Sequence, residues 1–159
     1  MKPLYRGIAV ALLQCLIVLS VAGKYALDRQ RLPRVWVKAA AVDPSLPVRG
    51  RYVSLRLEVA VPPETGVQWM SAQLSVQDGR LVATPAPFGT GVTIWRFAGG
   101  PWGIQDPVAF FIPEHVPDPS HPAPGEELWV EVSVPRQGPP RPLRLALKKD
   151  GVLTPLDLR

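Results

Sequence analysis

Every histidine of the chain lies in one short stretch beside carboxylates: Glu114, His115, Asp118 and His121. Imidazole and carboxylate together form the donor sets of many transition-metal sites and supply general bases for hydrolysis, so this stretch is the first candidate for chemistry. Its spacing weighs against a metal. Pro113, Pro117, Pro119 and Pro122 are interleaved with the candidates. They favour polyproline II, in which His115, Asp118 and His121 share one edge of the helix but stand about 9 Å apart. A metal ion holds its ligands at about 2 Å, so the loop would have to bend sharply to close round one. The expectation is a solvated, semi-rigid loop. A membrane-bound hydrolase or a metal-binding protein using Glu114, His115, Asp118 and His121 is the alternative.

Nucleophilic catalysis finds little material. There is no G-x-S-x-G elbow. The single cysteine, Cys15, sits inside an apolar segment, so the remainder of the chain has no thiol nucleophile, thiolate ligand or disulfide. Ser45, in Asp43-Pro44-Ser45-Leu46-Pro47, would stand near a membrane as the serine of a bacterial signal peptidase does. After Lys38, however, the next lysine is Lys148, in a terminal hairpin, and the base is missing. The tryptophans are spread over several segments; Trp95 and Trp102 flank the turn Gly99-Gly100-Pro101 and are candidates to line a pocket. These residues point to a non-enzymatic interaction module without a cofactor.

The elements that must position them begin with a hydrophobic segment. Ile8 to Gly23 carries no charge and would extend about 24 Å as a helix, short for a bilayer core of about 30 Å. Lys24 and Arg6 can extend their heads outward from hydrocarbon, and Tyr5 and Tyr25 suit the interfaces, which lengthens the effective span. The rival is a cleaved secretory signal: Lys2 and Arg6 form an n-region and Ser20-Val21-Ala22 a small-x-small site. The apolar run is long for an h-region and no helix breaker precedes that site, which favours an anchor in the lipid bilayer through residues 8–23. Lysines and arginines flank both ends, so charge alone sets no orientation. The signal-like layout favours a domain outside the cytoplasm.

Net charge is +5 with an isoelectric point near 9.8. Lys2, Arg6, Lys24, Arg29, Arg31 and Arg34 against Asp28 account for the whole excess, and residues 35–159 are neutral. A nucleic-acid-binding domain keeps its positive excess on its own folded surface, so nucleic acid is not the expected partner. Basic residues bracketing an apolar helix suit lipid headgroups. Between Asp106 and Glu131 there are carboxylates and no Lys or Arg, whereas Arg136 to Lys149 is basic without an acid. Cross-strand pairing of the two stretches is expected, a partner reading one of them being the alternative.

The 20 prolines nearly all fall after residue 32 and exclude long helices there. Tyr52 to Val61 alternates apolar and polar residues, as do Arg34 to Ala40, Val67 to Val76 and Leu128 to Val134, and each reads as a strand. Val92 to Phe97 reads as another, and Val108 to Ile112 is continuously apolar, as in a strand covered on both faces. Asp78-Gly79 and Asp150-Gly151 are hairpin turns, into Leu81 to Ala83 and between Leu143 to Leu147 and Val152 to Leu156. The expected fold is all-β, a small sandwich or partly open barrel of roughly seven or eight short strands, behind one transmembrane helix. Its organisation is an anchor over 1–27, a basic juxtamembrane linker over 28–34 and the β domain over 35–159.

Gly50, Arg51, Tyr52, Leu55 and Leu57, soon after the helix, resemble the motif of the bacterial GDYXXLXY protein family, and Phe111-Ile112-Pro113-Glu114 resembles a later segment of that family. Gly50, Tyr52 and Leu55 match; Arg51 stands where the family has Asp, and Leu57 where it has the second Tyr. The resemblance implies a single-pass bacterial inner-membrane protein with a periplasmic β domain, acting beside another, multi-pass membrane protein. Tyr52 and Glu114 are the contact positions that it marks.

Overall fold

The computed structural model describes residues 3–42, 52–62, 66–96, 99–116 and 118–158. The chain divides into two compact units, 1–32 and 33–159.

The first unit is a single helix, α1 (Pro3–Arg31), and its stretch Gly7–Asp28, 22 residues, is apolar and long enough to cross a membrane. At 1.5 Å per residue that stretch is about 33 Å long, so the helix reaches further than the uncharged run alone. Lys24, Ala26 and Leu27 are good helix formers and carry α1 onward. The linker expected over 28–34 is therefore mostly helix. Only Leu32 and Pro33 separate α1 from the first strand. Pro33 ends the helix because it has no N–H and disfavours the α conformation at the residue before it; the Leu32 amide donates to the Asp28 carbonyl at 2.9 Å.

The second unit is all-β, with ten strands among the described residues: β1 (Arg34–Val42), β2 (Tyr52–Leu57), β3 (Trp69–Gln77), β4 (Arg80–Pro85), β5 (Val92–Arg96), β6 (Trp102–Ile104), β7 (Val108–Phe111), β8 (Glu126–Ser133), β9 (Arg141–Lys149) and β10 (Val152–Pro155). They form a larger sheet ordered β10-β9-β8-β1-β2-β7 and a smaller one ordered β4-β3-β5-β6. All pairings within the sheets are antiparallel.

Alternation on the strands makes the core. Val35 and Val37, Val53, Leu55 and Leu57, and Leu128, Val130 and Val132 point inward from the larger sheet and meet Ala72, Leu74, Leu81, Ala83, Ile94 and Ile104 of the smaller one. Tyr52 to Val61 is regular strand only to Leu57. Beyond that the chain changes sheets: the Val59 amide donates to the Trp102 carbonyl and the Ala60 amide to Leu81, each at 2.9 Å. Both edge strands of the smaller sheet thus bond to one segment, which curls that sheet into a half-barrel.

The hairpins at Asp78-Gly79 and Asp150-Gly151 have the positive φ angles that tight two-residue turns demand, 49° and 70° in the first and 50° and 83° in the second. The run Val108 to Ile112 departs from expectation. It forms an edge strand of the larger sheet, and Phe111, on its outward face, is 68% exposed.

Candidate functional site

The proline-rich loop between β7 and β8 crosses one end of the larger sheet. Asp118 is fixed locally: its carboxylate accepts from the Ser120 amide at 2.9 Å and the Ser120 hydroxyl at 2.5 Å, an Asx-type turn. Asp118, Ser120 and His121 line a cavity of about 520 Å³ together with Val42, Tyr52 and Ser54. On its other side, Val116, Pro119, His121 and Pro122 cover a cavity of about 260 Å³ against Leu147, Leu156 and Leu158. The loop therefore brings Asp118 and His121 to Tyr52, a juxtaposition that sequence spacing does not show. Glu114 and His115 line neither cavity. Among the described residues no group of three or more His, Cys, Asp or Glu is placed to hold a metal ion. Tyr52 packs its ring against Phe111, centroids 6.1 Å apart. Leu55 and Leu57 of the motif strand are buried core, and Gly50, Arg51 and Ser45 lie outside the described residues.

The outward face of β9, β8 and β1 carries the charges. Register places Trp36 beside Glu131 and Arg144, and Lys38 beside Trp129. Arg144 Nε donates to Glu131 at 2.7 Å and lies over the Trp36 ring, while Lys149 reaches Glu126 at 3.3 Å. These are the cross-strand pairs that the segregated acidic and basic stretches imply. Glu127 instead turns to β1: it accepts from Lys38 Nζ at 2.6 Å and from Trp129 Nε1 at 3.0 Å. Those donors hold the Glu127 carboxyl below its ordinary range, and the same bond raises Lys38. Glu58, at the end of β2, is pushed up chiefly by burial, with Lys38 opposing. Lys148 Nζ stands 4.4 Å over the Trp129 ring. A cleft of about 550 Å³ runs between these side chains and the β3–β4 turn at Asp78-Gly79. Of the cations that line it, Lys38 has the Glu127 carboxylate and Lys148 the Trp129 ring to hand.

The outward face of the smaller sheet differs. Trp69 and Trp95 are direct partners across β3 and β5 and are 49% and 41% exposed. Phe88, 85% exposed, sets its ring edge-on to Trp69, centroids 6.3 Å apart. The expectation that Trp95 and Trp102 line one pocket fails. Trp95 pairs with Gly103 and Trp102 with Arg96, adjacent positions whose side chains leave opposite faces of the sheet. Trp102 packs on the core. The partner that Trp95 does have, Trp69, was visible only as the outward start of the alternation Trp69, Ser71, Gln73, Ser75. Phe88 sits in Pro-Phe-Gly-Thr-Gly, a turn whose aromatic has no periodic signal.

Compared with family models, curated proteins and solved structures, the chain matches none.

Proposed function

We propose that the chain is a single-pass membrane protein whose β domain is an interaction module on the extracytoplasmic side of a bacterial inner membrane, binding another membrane protein or an envelope component. The observation that carries this is α1: its stretch Gly7–Asp28 is exposed along its length, apolar, and able to span a bilayer core. A helix with so much exposed apolar surface needs lipid or protein around it. The basic flanks and the resemblance to the GDYXXLXY family support the same reading. On its smaller sheet the β domain presents two exposed tryptophans, Trp69 and Trp95, the kind of large, rigid side chain that dominates binding surfaces.

The test is alkaline carbonate extraction of bacterial membranes containing the full chain, with protease added to spheroplasts. The chain is expected in the pellet, with residues 33–159 digested from outside and the amino terminus intact. A soluble product beginning near Gly23 overturns the anchor, and a domain protected until the membrane is lysed overturns the orientation.

A further inference from the structure

The aromatic group on the smaller sheet is exposed by construction. Phe88 stands on a turn held by Thr90, whose amide and hydroxyl both donate to the Pro87 carbonyl, at 3.0 and 2.6 Å. Gly89 and Gly91 follow with φ of 80° and 76°. A Cβ at Gly91 would lie 2.2 Å from the Ala72 carbonyl oxygen, so this turn is pressed against β3 close to Trp69. The Ala86 amide donates to the Ser71 carbonyl at 2.9 Å and fastens its other end to the same strand. Trp95 is fixed by its own donor, Nε1 to Gln105 Oε1 at 3.0 Å. Rings held in this way lose little freedom on binding, which is the arrangement of a preorganised site.

The surroundings narrow the ligand. Ser71 and Thr93 are paired on the same outward face directly beside the tryptophan pair, and Gln105 borders Trp95. Hydroxyl and amide groups therefore rim the rings. Among the described residues no carboxylate or lysine occupies these outward positions; Arg136 comes to the same face further along, where its carbonyl accepts from Gln73 Nε2, and Arg96 leaves by the opposite face and donates to the Gly100 carbonyl at 3.4 Å. The described neighbours that directly flank the rings are therefore uncharged. A membrane surface would ask for basic residues around the rings, as anionic headgroups do. What fits is a neutral molecule with flat apolar faces and a hydroxylated perimeter: a pyranose ring lays its C–H face on the negative face of an indole and gives its hydroxyls to amide and hydroxyl side chains.

We propose that Trp69, Trp95 and Phe88 form a platform for a neutral glycan chain, with Ser71, Thr93 and Gln105 bonding its hydroxyls. This names the ligand class of the interaction module and rests on that reading. Its test does not use membrane extraction, so loss of glycan binding with retained anchoring removes the platform alone.

The full chain in zwitterionic nanodiscs is titrated with chitohexaose and laminarihexaose while tryptophan emission is followed, and is depleted on insoluble chitin, cellulose and peptidoglycan sacculi. A saturable change with at least one glycan is expected. Binding should fall by about tenfold in F88A and by about a hundredfold in W69A/W95A, each ring contributing a separate stacking contact. K148A, on the other sheet, should bind as the parent does. Should W69A/W95A fail to fold, Thr93→Glu places a charge among the rings and is expected to abolish binding. No retention on any of these glycans overturns the proposal, as does retention that survives the double substitution or Thr93→Glu. If the same substitutions release a co-purifying protein and no glycan binds, the platform is a protein-docking surface and the glycan assignment is wrong.

Discussion

The two outward faces of the β domain both carry a pair of tryptophans, and they treat them in opposite ways. On the larger sheet Trp36 lies under Arg144 and Trp129 under Lys148, while Glu127 accepts the Trp129 indole N–H. On the smaller sheet Trp69 pairs with Trp95 and meets Phe88, and Trp95 donates to the uncharged Gln105. The first face has already found its partners within the chain. A surface saturated by its own ion pairs has little left to offer, whereas bare aromatic rings on a braced scaffold gain from being covered. Abundance of tryptophan is thus a poor guide to a binding face; the guide is what the chain itself has placed over the rings.

The contrast can be broken most forcefully at Gly91. Gly91→Ala puts a methyl onto the Ala72 carbonyl in a backbone conformation that L side chains rarely adopt, and should cost about 2–4 kcal/mol. Calorimetry of the parent and variant would read the cost, and a change below about 0.5 kcal/mol would mean that the Phe88 turn is not braced as described.

A smaller effect separates the two tryptophan sets. Trp129→Ala loses the Lys148 stacking contact and leaves Glu127 without one of its donors, and should destabilise by about 1 kcal/mol. Trp95→Ala, on the exposed face, should change stability by less than about 0.5 kcal/mol. Urea titrations of both variants check the order, and equal losses would erase the distinction between the faces.

The smallest effect is a pH dependence. Glu127 has its folded-state pKa lowered by Lys38, so its contribution is present above the unfolded carboxyl range and is lost as pH falls through the lowered folded value. Glu58 runs the other way: its folded pKa is raised, so it favours the folded state below the ordinary carboxyl range and loses that contribution as pH rises through the raised value. Lys38→Ala removes the support of Glu127 and the restraint on Glu58 together. Both changes weaken the fold at neutral pH, by less than about 1 kcal/mol for so exposed a pair, and the deficit should close in acid. Stability of the parent and variant across the acidic range measures it; a deficit independent of pH would assign the loss to packing of the lysine stem.

The parts of this molecule written in local pattern were legible without coordinates. Apolar alternation marks β2 and β8, Asp-Gly marks both tight turns, and the opposed charge of the 106–131 and 136–149 stretches anticipates the pairs Glu131–Arg144 and Glu126–Lys149. The parts that depend on which elements meet were not. Trp102–Ile104 is too short to show a period, and it becomes a strand because β5 lies alongside it. The exposed edge position of β7 follows from sheet order, which its apolar run does not encode. The approach of Asp118 and His121 to Tyr52, and the pairing of Trp69 with Trp95, are long-range facts of the same kind. Phe88 is held by a turn whose glycines matter only once Ala72 is in place.

The segment 58–60 has a further effect. By bonding to Gly103 on one side and to Val82 on the other, it occupies both margins of the smaller sheet. The larger sheet ends in β7 and β10, each of 4 residues, and β10 closes on Pro155. Short margins and a proline discourage another chain from adding itself as an extra strand. Among the described residues these margins thereby disfavour polymerisation through the backbone.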